Sequence, residues 1–155
     1  MATAYYESPI GWLEIIGGEQ GISRIGFVDK KGKEQQPDSL VESLSQLDEY
    51  FQNKRTEFTF QLDPQGTDFQ KTVWQQLLHI PFGRTCSYLD IANALGDPNS
   101  TRAVGNANGK NDIAIVIPCH RVVGSDGSLT GYAGGMHRKE WLLNFENGGV
   151  QGSLF

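Results

Sequence analysis

Bulky apolar positions and turn clusters take turns along the first 28 residues. Trp12, Ile15, Ile22, Ile25 and Phe27 supply strand-type bulk, and Ser8-Pro9-Ile10-Gly11 and Gly17-Gly18-Glu19-Gln20-Gly21 interrupt it. The pattern predicts strands joined by turns over residues 4–28. Asp29 to Pro37 is polar and lysine-rich and reads as a solvated loop. Leu40, Leu44, Leu47 and Phe51 then recur at helical spacing, with Ser39 and Glu42 placed as a capping box. Phe58, Phe60 and Leu62 alternate as a half-buried strand, and Asp63-Pro64-Gln65-Gly66 marks a boundary.

Past that boundary the period becomes helical. Thr67 or Asp68 can cap a helix that carries Phe69, Val73, Trp74 and Leu77 on one side and ends near Ile80-Pro81. Ser87 with Asp90 caps a second helix, Tyr88 to Leu95, stopped by Gly96-Asp97-Pro98, and Ser100 can cap a third, Thr101 to about Asn108. Two short helices split by a glycine-containing turn make a helix-turn-helix candidate. In the third helix Arg102 is the only long side chain; Ala103, Val104, Gly105, Asn106, Ala107 and Asn108 are small or short. Such a surface suits a minor groove about 6 Å wide, with the arginine placed beside or into the base stack. It suits tight packing on a neighbouring helix equally well.

Ile113 to Ile117 is an apolar run read as a buried strand, which Pro118 must stop because it lacks a donor and fixes φ. Ser125 to Gly135 is a glycine-rich loop able to fold over a cleft, with Tyr132 as a stacking wall. A last helix, Met136 to about Phe145, is expected to bury Trp141, Leu142 and Phe145 and to end at Glu146-Asn147-Gly148. The tail, residues 149–155, is expected to be poorly ordered.

With 155 residues, 38% of them hydrophobic and 20% charged, the chain has room for one globular domain or two small lobes. The N-terminal stretch lacks the basic and apolar segments of a signal peptide, and no stretch is long enough to span a bilayer. Two cysteines, Cys86 and Cys119, argue against a disulfide framework and for a reducing cytoplasm. Together with His79, His120 and His137 they do not fall into zinc-site spacings, so neither metal nor cofactor is expected. The net charge of -5 is uneven: residues 1–66 hold eleven acids and six bases, residues 67–155 seven of each. A nucleic-acid surface therefore has to be local, built from Arg84, Arg102, Lys110 and Arg121.

Cys119 follows Pro118 and precedes His120. A lone cysteine is often a small core hydrophobe. A cysteine beside an imidazole is also a candidate nucleophile, because a His–carboxylate pair can deprotonate a thiol whose free pKa is about 8.5.

Pro118-Cys119-His120-Arg121-Val122 after an apolar run joins Ser87-Tyr88, Thr101-Arg102-Ala103-Val104-Gly105, Asn111, Tyr132-Ala133-Gly134-Gly135 and Glu140-Trp141-Leu142-Leu143. In that order the set closely resembles the O6-alkylguanine-DNA alkyltransferases, strongly over about residues 68–148 and in general outline before them. The resemblance implies an α+β fold: an N-terminal α/β lobe of antiparallel strands with one helix (1–66), then a mainly helical, winged-helix-like DNA-binding domain carrying the active site (67–148). It implies that Cys119 takes an alkyl group from O6-methylguanine, or from O4-methylthymine, in one irreversible turnover. His120 would act through a water as base, Glu146 would orient His120, and Asn111 would be a hinge.

By the same resemblance Tyr88 would crowd the phosphate and contact the extruded base, while Arg102 fills the space it leaves. Thr101, Ala103, Gly105 and Asn106 would meet the minor groove of double-stranded DNA. The carbonyls of Cys119 and Val122 and the N–H of Ala133 would read the guanine edge, with Tyr132 and Gly134 completing the pocket. A monomer is implied. Asn106 and Asn108 are bulkier or more polar than some of the family's helices carry, Ala133 replaces a serine of some members, and the N-terminal cysteines of zinc-bearing members are absent. Two rival readings differ in class. A Cys–His–Glu thiol hydrolase would need an oxyanion hole and has no use for a helix-turn-helix; a non-catalytic alkylated-DNA-binding module would lack the cysteine.

Overall fold

Strands β1 (Ala2–Ser8), β2 (Gly11–Gly18) and β3 (Gly21–Val28) form an antiparallel sheet in the order β1-β2-β3. Leu13 and Ile15 of β2 alternate inward, as a pleated strand with one covered face requires. Ile22 and Ile25 are both buried although three residues apart. A strict period of two would send them to opposite faces. The register shift at Ile16/Gly17 resolves this, because the inserted Ser23 turns the strand by one position. Gly21 sits at φ +127°, and a Cβ there would lie 2.6 Å from the Gln61 carbonyl oxygen, so only glycine fits the turn.

The computed structural model describes residues 1–148, so the tail expected at 149–155 lies outside the described residues. The chain divides into two units, Met1–Gln65 with Asp112–Val116, and Gly66–Asn111 with the chain from Ile117 onward. The first unit is completed by helix α1 (Val41–Phe51), which buries Leu47, Tyr50 and Phe51. Its expected capping box does not form. Residues Pro37–Leu40 make a 3-10 turn in which the Ser39 hydroxyl donates to the Gln36 carbonyl, so Leu40 becomes the cap residue.

The strand expected over Phe58–Leu62 is also absent: the segment makes one isolated parallel bridge, Ile22 to Leu62. Phe58 instead packs its ring on Tyr50 and Phe60. The apolar run from Ile113 is no strand either. Ile113 bridges Ile25, and the backbone then turns at Ile115, whose φ is +73°. Both corrections have one cause. Apolar alternation measures burial, and a strand also needs a partner backbone with several free groups.

In the second unit, helices α2 (Asp68–Leu77) and α3 (Tyr88–Ala94) each start with a complete capping box, Thr67 with Gln70 and Ser87 with Asp90. Val73, Trp74 and Leu77 are buried, but Phe69, in the first turn of α2, is exposed, because the stripe is covered only from Val73 onward. Helix α4 (Thr101–Gly109) follows a 3-10 turn over Pro98–Ser100. Ser100 does not cap it, since its hydroxyl donates to the Asp97 carbonyl. Two short strands, β4 (Cys86–Ser87) and β5 (Val122–Val123), pair in parallel. Helix α5 (Met136–Glu146) buries Leu142; Trp141 and Phe145 are only half-buried and stack on one another at 4.9 Å.

Helix α4 packs on α2 and α3, and the indole N–H of Trp74 donates to the Ala107 carbonyl at 2.8 Å in the interior. Losing one partner of a buried bond costs about 1–3 kcal/mol. Trp74→Phe should therefore destabilise the protein by roughly that much, read as a lower denaturant midpoint at unchanged slope.

Candidate active site and nucleic-acid interface

Pro118 ends the apolar run, and Cys119–Arg121 wind into a single 3-10 turn before β5. All three side chains are buried. The Cys119 N–H donates to the Ile117 carbonyl at 2.8 Å, and Nδ2 of Asn111 donates to the same carbonyl at 2.8 Å. Asn111 thus holds the backbone that presents the thiol. Burial raises the Cys119 pKa, against which the Asn111 hydrogen bond and the Lys139 charge pull downward. The sulfur rests as a thiol and needs a base.

The base candidate lies next to it in sequence. His120 is fully buried, and its Nε2 lies 2.8 Å from Oε2 of Glu146. Glu146 closes α5 and faces both His120 and Arg121. Arg121 gives it Nε at 2.7 Å and Nη2 at 2.9 Å, and passes Nη1 to the Ile80 carbonyl at 2.7 Å. Burial pushes the Glu146 carboxyl up, but His120 and Arg121 outweigh it and hold it down to about 2. Burial lowers His120, partly countered by Glu146. The carboxylate is therefore ionised and accepts only, so His120 carries its proton on Nε2 and stays neutral at rest. That leaves the lone pair on Nδ1, which has no partner among the described residues.

A cleft of about 630 Å³ lies in the same unit. Tyr88, Thr101, Arg102, Gly105, Asn106, Asn108, Tyr132 and Ala133 are on its walls. The structure thus brings most of the expected DNA and base-pocket residues to one surface. Cys119, His120, Asn111, Val122 and Glu146 are buried and do not line it; Ala103 is exposed and Gly134 half-buried outside its lining. Asn108 joins the two groups: it lines the cleft, and its Nδ2 donates to the Cys119 carbonyl at 3.4 Å. The hydroxyl of Tyr88 is hydrogen-bonded to that of Thr130. Tyr132 stays a phenol, since burial raises it well above its ordinary value.

Both readings of the small-residue helix hold. Val104, Ala107 and Asn108 face the interior, whereas Arg102, Ala103 and Asn106 are exposed. The basic surface loses one member, because Arg121 is buried on Glu146 and Phe82. Sequence reasoning did not single out Lys139, whose Nζ donates to the carbonyls of Val122 at 2.6 Å and Thr130 at 3.2 Å. It ties the strand after the thiol turn to the glycine-rich loop. Nothing local signals this, since a lysine on the first turns of a helix normally reads as solvated. No group of three metal-ligating side chains occurs among the described residues, and no described helix is long and apolar enough to cross a membrane.

Residues 68–148 match the family model for the 6-O-methylguanine DNA methyltransferase DNA-binding domain, and residues 1–64 match that family's ribonuclease-like domain. The methylated-DNA–protein-cysteine methyltransferase of Methanosarcina acetivorans is 46% identical over 94% of this chain and 98% of its own. That of Mycobacterium leprae is 46% identical over 96% and 93%. Among solved structures, Mycobacterium tuberculosis OGT in complex with DNA aligns with a TM-score of 0.86 at 44% identity, over 93% of this chain and 91% of that one.

Glu146→Ala would strand the Arg121 guanidinium, a loss of about 3–5 kcal/mol for a broken buried pair. Acid should act in the same direction. The Glu146 carboxyl titrates lower in the folded than in the unfolded chain, so its stabilisation is complete above about 4.5 and is lost as pH falls toward 2. His120, also lowered, adds a loss of the same sign below about 6.5. Denaturant unfolding of the wild type from pH 7 to pH 3 should show falling stability, and the Glu146→Ala protein a shallower fall.

Proposed function

The chain belongs to the 6-O-methylguanine DNA methyltransferase family, and from that membership we propose the roles of its residues in DNA repair by alkyl transfer. The observation that carries the assignment is the buried His120–Glu146 pair, which follows Cys119 in the chain and leaves one imidazole nitrogen unpaired in the unit that holds the cleft. An O6-methyl group is an sp³ electrophile, so its acceptor must be a strong nucleophile attacking in line. The Cys119 thiol gives its proton to Nδ1 of His120 through a water, and Glu146 stabilises the imidazolium that forms. The sulfur then bonds the methyl carbon as the carbon–O6 bond breaks, and that electron pair passes to the guanine. A proton, supported by the Tyr88 hydroxyl as donor, restores the neutral base.

The atom attacked lies inside a duplex, so the nucleotide is extruded, at a cost of a few kcal/mol. Exposed Arg102 fills the gap, and the bare face of Thr101, Ala103, Gly105 and Asn106 admits the minor groove. The Cys119 and Val122 carbonyls and the Ala133 N–H read the base, against Tyr132 and Gly134, with Asn111 as the hinge beneath the thiol turn. O4-methylthymine, which carries the same type of alkylated oxygen, is a second substrate. The active form is read as a monomer. Both cysteines are free, which suits the cytoplasm. A thiol hydrolase would leave the bare face of α4 without a use. A purely binding module would leave the Cys119–His120–Glu146 arrangement without one.

The thioether product has no activated leaving group, so each molecule is used once. Titration with an O6-methylguanine duplex, followed by intact mass and peptide mapping, should show one methyl per molecule, on Cys119. Cys119→Ser should abolish transfer and Cys86→Ser preserve it; methyl on Cys86, or transfer well beyond one equivalent, refutes the assignment. Arg102→Ala should slow reaction with the duplex far more than with free O6-alkylguanine base, which needs no extrusion. Equal slowing on both would remove Arg102 from the extrusion step.

A further inference from the structure

Thr130, half-buried in the glycine-rich loop, is held at both ends. Its carbonyl accepts from Nζ of Lys139, a fully buried side chain that also donates to the Val122 carbonyl just past the thiol turn. Its hydroxyl is hydrogen-bonded to that of Tyr88. The phenol is fixed elsewhere as well. Tyr88 opens α3 directly after the cap residue of the Ser87–Asp90 box. Its ring lies against Gly105 of α4, where an added Cβ would come to 3.8 Å from a ring carbon. Tyr88 lines the cleft and Thr130 does not, so the tip of the phenol is gripped by a residue outside the cleft lining. Each hydroxyl of the pair has one donor and two acceptor lone pairs. When the Tyr88 O–H turns to an acceptor in the cleft, the Thr130 O–H can therefore donate to the Tyr88 oxygen.

We propose that Thr130 is a positioning residue for alkyl transfer, its hydroxyl donating to the Tyr88 oxygen and so strengthening the Tyr88 O–H as donor to the departing guanine. The inference rests on the alkyl-transfer reading, in which Tyr88 is that donor, and adds the group that acts on it. Hydrogen bonds in a chain polarise one another in the same direction. As the carbon–O6 bond breaks, negative charge grows on the guanine and draws the Tyr88 hydrogen toward it. The negative character left on the phenol oxygen is met by the Thr130 O–H, which keeps its own proton. Lys139 holds the threonine backbone through its carbonyl, so the hydroxyl turns while the loop stays in place.

The test compares single-turnover rates on an O6-methylguanine duplex for the unmodified protein, Thr130→Val, Thr130→Ser, Tyr88→Phe and the Tyr88→Phe, Thr130→Val double variant. Thr130→Val keeps the shape and removes the hydroxyl, and it should slow transfer roughly tenfold, the usual worth of one such hydrogen bond. Thr130→Ser should recover most of that loss, and Thr130→Ala carries the test where the valine variant does not fold. In the Tyr88→Phe protein Thr130→Val should cost nothing further, because the hydroxyl it acts through is gone. A second comparison uses free O6-alkylguanine base and its 8-aza counterpart, whose extra ring nitrogen makes it the better leaving group and lessens its need for a donor. The Thr130→Val penalty should shrink on the 8-aza base, whereas a residue that only ties down the loop would penalise both bases equally. Unmodified rates in Thr130→Val, an undiminished penalty in Tyr88→Phe, or an equal penalty on both bases overturns the inference while alkyl transfer stands. Transfer from neither duplex nor base by the unmodified protein overturns the alkyl-transfer reading itself, and the inference with it.

Discussion

The contact on which the site depends is the buried pair between Arg121 and Glu146. Two charges taken out of water cost several kcal/mol each, and their attraction recovers that only with good geometry and further hydrogen bonds. Here the geometry is a two-point guanidinium–carboxylate contact, the remaining guanidinium nitrogen finds the Ile80 carbonyl, and the Phe82 ring lies at 5.8 Å. The pair is better understood as a device for specifying state than as a source of stability. With His120 and Arg121 both against it Glu146 holds no proton at neutral pH, so it accepts from His120. That fixes the imidazole tautomer and leaves the other nitrogen as the acceptor. Arg121, next but one after Cys119, thereby helps decide which atom can act as base.

Much of this was legible in the chain. Both complete capping boxes, the hairpin turns and the Cys119–His120 dipeptide depend on residues a few positions apart, and local pattern finds such features. The unformed Ser39–Glu42 box and Ser100 cap are local failures, each hydroxyl being taken by a carbonyl three residues back; the other failures have a different character. Arg121 reads as a surface cation because its charge is visible and its partner lies 25 residues on. Lys139 draws no notice in the chain for the same reason, its partners lying 17 and 9 residues back. Phe58 to Leu62 and Ile113 to Ile117 read as strands because they alternate or are wholly apolar, and only the three-dimensional arrangement shows that each finds a single bridging residue. Cys119 beside His120, Arg102 among small residues and Tyr132 in the glycine-rich loop suggested their own roles, whereas those of Asn111, Glu146, Tyr88 and the base-reading backbone groups came from resemblance.

Ile115 illustrates how far tertiary context overrides local preference. A β-branched residue in the left-handed region costs about 1–2 kcal/mol, and sequence reasoning would not place one there. Ile115 is 1% exposed, and burying such a side chain is worth about 1.5–3 kcal/mol. The turn is retained because burial offsets the strain. A glycine would relieve the backbone and forfeit the larger quantity.

Charge then limits how this protein can recognise DNA. The net charge is -5, and pairing Arg121 in the interior removes it from the basic surface, leaving Arg84, Arg102 and Lys110 exposed there. Phosphate contacts supply most of the affinity of DNA-binding proteins, and they carry no sequence information. Of those three side chains only Arg102 lines the cleft, so phosphate contacts there have few cations to draw on. On the proposed reading discrimination arises after a nucleotide leaves the stack, within a cleft whose polar side chains are Thr101, Arg102, Asn106, Asn108 and the phenols of Tyr88 and Tyr132. A repair protein used once per lesion benefits from that division. Few phosphate contacts let it leave intact sites unspent, and the irreversible step is reached only by a base that satisfies the buried groups around the thiol.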